Sequence, residues 1–108
     1  GKPICAKQMI QEKIANMEML IQAGRGLVYN ATMLLDQGKP CNKEASIAKC
    51  FVTEGYGKIT DDALQIFGGY GLCDEYLISK LYRDSRVNRI IEGTNEIQRV
   101  VIAKSLLR

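Results

Sequence analysis

A chain of 108 residues that is 46% hydrophobic and 25% charged is one domain or a piece of one, too apolar for a disordered tail. Its fifteen basic and twelve acidic residues are interspersed and leave a formal charge of +3, without the concentrated basic face that nucleic-acid binding needs. There is no histidine, and the four cysteines, Cys5, Cys41, Cys50 and Cys73, form no Cys-x-x-Cys pair, which argues against a metal site and against any Ser–His or Cys–His nucleophile.

Acid–base chemistry therefore falls to a carboxylate, Lys, Tyr or Cys. No signal peptide is visible and no apolar run is long enough to span a bilayer, so reduced, intracellular thiols are expected. The chain opens at Gly1-Lys2-Pro3-Ile4 without an initiator Met, which reads as a piece of a longer protein.

The first predicted element is a long helix. Ile10, Ile14, Met17, Ile21, Gly24, Val28, Ala31 and Leu35 recur in alternating steps of four and three, the seam of a helix packed nearly parallel to its neighbour. Pro3 suits its first turn, and Gly38 followed by Pro40 ends it. The Asn30-Ala31-Thr32 glycosylation triplet falls inside this pattern and reads as accidental. Asn42 is placed as the cap of a second helix, with Glu44 at its positive end. Ala45, Ala48, Val52, Gly55, Ile59, Ala63 and Ile66 continue the spacing. Gly55 and Gly57 inside it predict a bend or, preferably, a closely packed neighbour.

Gly68-Gly69-Tyr70-Gly71 stops the second helix, and its glycines leave main-chain N–H groups open to a ligand or simply end the helix. A short amphipathic stretch runs from Leu77 to Val87. Arg83, Arg86 and Arg89, at i, i+3 spacing, would share one helical face. After a break at Glu92-Gly93-Thr94, a last helix starts at Asn95, capped by Thr94 with Glu96 in its first turn and with Ile97, Val100, Val101 and Leu107 as apolar contacts. Strand periodicity is nearly absent. The fold class is all-α, an up-and-down helical bundle.

Dinucleotide-binding and P-loop fingerprints fail: Gly24-Arg25-Gly26 and Gly55-Tyr56-Gly57 lack the third glycine and a preceding strand. Glu92 stands out instead. It lies between the apolar pair Ile90-Ile91 and the flexible Gly93, where a carboxylate can project into an apolar cavity and lose the hydration that weakens it as a base. The plain alternative is a glutamate placed near a helix N-terminus by the dipole.

Three ordered motifs tie these pieces together. Tyr82-Arg83-Asp84-Ser85-Arg86-Val87-Asn88-Arg89-Ile90-Ile91-Glu92-Gly93-Thr94-Asn95-Glu96-Ile97-Gln98-Arg99 resembles the C-terminal signature of the acyl-CoA dehydrogenase family. Gln65-Ile66-Phe67-Gly68-Gly69-Tyr70-Gly71 resembles that family's second signature, and Gly1-Lys2-Pro3 resembles the start of its C-terminal domain. The resemblance covers residues 1–108 and implies the C-terminal helical domain of a flavin-dependent enzyme of the short-, medium- or branched-chain type. Ile91 departs from it, since close relatives commonly carry Tyr there.

What the resemblance implies is specific. Glu92 would be the catalytic base that removes the α-proton of a fatty acyl-CoA while a hydride passes to FAD, and Gly93 would lie along the thioester. Thr94, Asn95 and Glu96 would contact FAD of the same active site, and Gln65, Ile66, Phe67, Gly68 and Gly69 the adenosine part of a neighbouring subunit's FAD, in a homodimer or homotetramer. Electron-transfer flavoprotein would be the redox partner, β-oxidation of fatty acids the setting, and the mitochondrial matrix or a bacterial cytoplasm the compartment. Two further readings stand beside it. An acyl-CoA oxidase would consume oxygen directly, and a non-catalytic helical interaction module would tolerate loss of Glu92. The chain by itself is expected to be inactive, with exposed apolar surface and a tendency to self-associate.

Overall fold

The structure, a computed structural model, describes residues 1–107 and is helical throughout: α1 (Gln8–Asp36), α2 (Asn42–Phe67), α3 (Leu77–Val87) and α4 (Asn95–Leu106), with short 3₁₀ turns at Ile4–Ala6 and Gly68–Leu72. The all-α expectation holds, and α3 and α4 begin at Leu77 and Asn95 as their patterns predict.

Helix starts show where local signals were overridden. Pro3 precedes the 3₁₀ turn, not α1; Lys7 is extended, and α1 starts only at Gln8. Asn42 is the first residue inside α2 and caps nothing, since the capping position is Cys41 without a side-chain bond. Glu44 serves that end instead. Its own backbone N–H, with Lys43 beside it, holds its carboxyl below the usual range. The end of α1 follows its sequence closely. Gly38 takes φ +67, and the N–H groups of Gly38 and Lys39 donate to the carbonyls of Leu35 and Leu34, both at 2.9 Å.

Every other helix packs on α2. Against α1 the pairing is antiparallel: Lys13 meets Asp62, Leu20 meets Gly55, and Gly24 meets Val52. A Cβ at Gly24 would stand 3.1 Å from Val52 Cγ2, so the glycine lets the helices close on each other. Gly55 is buried against Leu20, the close packing expected of it, whereas Gly57 lies under the guanidinium of Arg89. On the opposite side Thr60 and Ser85, both almost fully buried, join α2 to α3 through a 3.1 Å hydroxyl pair.

Little of the apolar seam is covered. Among the described residues the buried apolar ones are Ala31, Ala48, Cys50 and Ile78, and no large side chain is fully enclosed. Ile14, Val28 and Leu35 of the predicted α1 seam are exposed, as are Ile97, Val100 and Leu107 at the C-terminus, contrary to their expected role as contacts. A single neighbouring helix, α2, covers only part of the stripe. The chain is a rod of 58 × 24 × 24 Å, with a radius of gyration of 16.8 Å against about 13 Å for a compact domain of this length. Its exposed area of 7818 Å² exceeds by about 1,800 Å² what a compact protein of its mass presents.

Candidate functional site

The connection between α3 and α4 is built around a backbone conformation that side chains resist. After Val87, whose carbonyl accepts from Ile90 and Ile91, the chain turns through Glu92 at φ +54 and Gly93 at φ +80. Among the described residues Glu92 is the only one other than glycine with positive φ. For an L-residue this costs about 1–2 kcal/mol, so the turn persists only with outside support.

Three groups give that support. Thr94 caps α4, its hydroxyl oxygen accepting the N–H of Ile97 at 3.3 Å. Gln98 Nε2 reaches back to the carbonyls of Glu92, at 3.3 Å, and Gly93, at 3.4 Å. Lys49 Nζ, from α2, donates to Gly93 O at 2.8 Å and to Asn95 Oδ1 at 2.7 Å.

Asn95 is 3% exposed, and its side chain is committed inward. Its amide nitrogen donates to Thr53 Oγ1 at 2.9 Å and Glu54 Oε1 at 3.2 Å, while its oxygen accepts from Lys49. Arg99 Nη2 meets the same Glu54 oxygen at 2.6 Å, and the pairing holds the Glu54 carboxyl below its ordinary range. Cys50 Sγ donates to the Asn95 carbonyl at 3.5 Å, and burial pushes its thiol up. Of the residues expected to contact a cofactor, Asn95 therefore spends both amide hydrogens and a lone pair of its oxygen on α2. Glu96 is exposed, with its carboxyl held low by its own N–H and the Thr94 hydroxyl.

Glu92 itself is exposed, and so are Ile90 and Ile91, at 53% and 46%. The apolar cavity expected around the carboxylate is not enclosed by residues 1–107. Among the described residues the Glu92 N–H donates to no acceptor, which leaves it free for a ligand oxygen.

The second cluster lies at the far end of α2. Gly68 takes φ +63, and its N–H donates to the carbonyls of Gln65 and Leu64. Gln65, Phe67, Gly68 and Gly69 are exposed and Ile66 is half-buried. A Cβ built at Gly68 or Gly69 would meet nothing within 4 Å, so the main chain there is open to a close approach. Gly71 differs: a Cβ would stand 2.9 Å from Phe67 Cβ and 3.1 Å from Leu64 O, because the 3₁₀ turn folds back on the helix it ends. Sixteen residues of α2 separate Lys49 from Gln65, about 24 Å along the axis, so the two clusters cannot serve the same end of a small molecule.

The predicted arginine face divides. Arg83 turns to Asp74 and Ser79, while Arg89 lies past the end of α3 and shares with Arg86 a polar cleft of about 410 Å³ against Glu54, Lys58 and Asp61. Sequence reasoning missed Lys49, Thr53, Glu54 and Gln98. Lys49 and Thr53 do share a face of α2, but nothing local points to a partner 44 residues away.

An all-α domain with an open glycine bend at one end of its central helix and a clamped Glu-Gly-Thr turn near the other defines a recognisable class. The acyl-CoA dehydrogenase C-terminal domain matches residues 1–107, and the chain belongs to that family. It is 46% identical over 108 residues to cyclohexane-1-carbonyl-CoA dehydrogenase of Geobacter metallireducens, covering all of this chain and 28% of that protein. It is 51% identical over 108 residues to 3-(aryl)acrylate reductase of Clostridium sporogenes, covering 29% of that protein. The structure of butyryl-CoA dehydrogenase from Megasphaera elsdenii superposes with a TM-score of 0.97 at 44% identity, over all of this chain and 28% of that one. The chain thus spans little more than a quarter of the relatives it matches.

Proposed function

We propose that the protein carrying this chain is an FAD-dependent acyl-CoA dehydrogenase that converts a fatty acyl-CoA thioester to a trans-2-enoyl-CoA, with Glu92 as the base. The observation that supports this most is the turn at Glu92. Its carboxylate is presented on a backbone held from two helices, beside an apolar pair, with the Glu92 N–H free. Thioester α-protons are weakly acidic, so removing one requires a base withdrawn from water and a donor for the developing enolate oxygen. Glu92 offers the donor through its free main-chain N–H, typically worth about 3–4 kcal/mol, and the base through a carboxylate that is exposed in this chain and would be dried only by what closes over the turn. Gly93, without a side chain, lets the thioester pass along the backbone.

The residues fit FAD unevenly. The open main chain at Gly68 and Gly69, with Gln65 and Phe67 exposed beside it, suits the adenosine part of a cofactor held by a neighbouring subunit. Thr94 and Glu96 stand at the open start of α4, where they would face the cofactor of their own site, while Asn95 acts from within. When bound, FAD supplies the acceptor for the β-hydride. Reoxidation by electron-transfer flavoprotein and assembly as a homo-oligomer belong to the same reading.

The test is Glu92→Gln in the full-length flavoprotein, assayed against straight, branched and cyclic acyl-CoAs, and against the corresponding enoyl-CoAs for the reverse direction. Loss of a general base predicts turnover down by about 10²–10⁴-fold with acyl-CoA binding retained. Turnover within tenfold of wild type in both directions would remove Glu92 from the chemistry.

A further inference from the structure

We infer that Lys49 is a positioning residue for the reaction, fixing the backbone on which Glu92 stands; this rests on the reading of Glu92 as the base. Two successive residues with positive φ make the Glu92–Gly93 turn unfavourable in isolation, and only Gly93 adopts such a conformation freely. Gln98 secures the peptide after Glu92, but its bonds are long, 3.3 and 3.4 Å, and it sits on α4, which moves with the turn. Lys49 is different. It is half-buried on α2 and binds the carbonyl of Gly93 at 2.8 Å and the side chain of Asn95 at 2.7 Å, the residues on either side of the Thr94 cap. Those two bonds tie the turn directly to the central helix.

The choice of partners separates Lys49 from the lysines that form ion pairs. Lys13, Lys43, Lys58 and Lys80 each meet a carboxylate, as surface lysines commonly do. Lys49 forms no ion pair among the described residues; the nearby Glu54 carboxylate is engaged by Arg99 and Asn95. Its ammonium is directed at a main-chain carbonyl and an amide oxygen, where charge-assisted bonds are short and hold geometry well. Thr53, one turn along α2, accepts from Asn95 and donates to the Lys49 carbonyl at 2.8 Å, so the clamp itself is braced. With Lys49 gone, Gly93 and Asn95 keep their other bonds, but the peptide after Gly93 loses its anchor to α2 and the carboxylate one residue upstream loses its register.

The test uses the full-length flavoprotein and the acyl-CoA, among straight, branched and cyclic thioesters, that the wild type oxidises fastest. Lys49→Met removes both bonds and keeps most of the stem; Lys49→Arg keeps charge and donors. A displacement of the base by about 1 Å predicts a kcat roughly 100-fold lower, with KM and flavin content within about twofold and exchange of the substrate α-proton with solvent slowed in parallel. Lys49→Arg is expected to recover at least tenfold of that loss. If Lys49→Met does not accumulate as flavoprotein, Gln98→Met, which removes the second clamp, is expected to lower kcat about 3- to 10-fold with KM unchanged. Normal kcat in a folded Lys49→Met, or a loss shared equally by kcat and thermal stability with no rescue by Arg, overturns the positioning role and leaves Glu92 untouched. Near-normal turnover by Glu92→Gln, or a wild type that oxidises none of the thioesters, overturns both readings.

Discussion

Replacing Asn95 with Ala tests how the start of α4 is held. The side chain is 3% exposed and makes three close bonds: to Thr53 at 2.9 Å, to Glu54 at 3.2 Å and from Lys49 at 2.7 Å. A neutral bond is worth about 1 kcal/mol net, and bonds to charged groups about 1.5–3 kcal/mol. Lys49 and Glu54 both reach solvent, and Glu54 keeps Arg99, so water and the remaining ion pair recover much of the charged contribution. Alanine adds a few tenths through helix propensity. The balance is a local destabilisation of about 2–3 kcal/mol. At about 1.4 kcal/mol per tenfold, amides in the first two turns of α4 should exchange with deuterium about 30- to 160-fold faster in Asn95→Ala. Amides in α1, which does not touch α4, should keep their rates. A change of less than threefold in α4 would refute the argument that this buried amide latches the helix.

Two further outcomes follow from α1–α2 packing and from the glycine bend. Asp62, 8% exposed, accepts from Lys13 at 2.7 Å and Lys58 at 3.4 Å; chiefly the Lys13 bond holds its carboxyl below the usual range, and the Asp62 bond in turn raises Lys13, with Asp61 and Glu12 adding to the field. A depressed folded value means that the stabilisation is present above the unfolded aspartate value, near pH 4, and disappears as pH falls through the lower folded one. Asp62→Asn should therefore flatten the acid limb of a thermal-stability profile, and an unchanged limb would show the pair to be idle. Gly71→Ala places a methyl 2.9 Å from Phe67 Cβ and 3.1 Å from a backbone oxygen that cannot turn away. Overpacking of this kind costs about 1–3 kcal/mol, and calorimetry finding no loss would mean that the 3₁₀ turn swings freely off α2.

The helices themselves were legible because their signals are local. Thr94 followed by a run of helix formers placed the start of α4, and Gly38 placed the end of α1 through its own left-handed conformation. Asn42 misled because an acceptable cap one residue late looks like a cap in sequence, and only the course of the incoming chain decides. The seam residues Ile14, Val28 and Ile97 were read correctly as apolar stripe and wrongly as covered, since periodicity tells which face is sticky, not what lies on it. At the site, the Glu-Gly-Thr turn was visible as a hinge. Its anchoring by Lys49 was not, because a contact between residues 44 apart leaves no period behind, and a lone lysine in a helix reads as solvation.

The surplus surface of the rod sets what its stability can mean. About 1,800 Å² is more than double the area that one side contributes to an ordinary protein–protein contact, so the surplus is large enough to hold one. Anything that settles on that area and binds the folded chain but not the unfolded one would shift the folding equilibrium toward the rod. The same substitution would then read as more severe in the bare rod than in a rod whose exposed face is occupied.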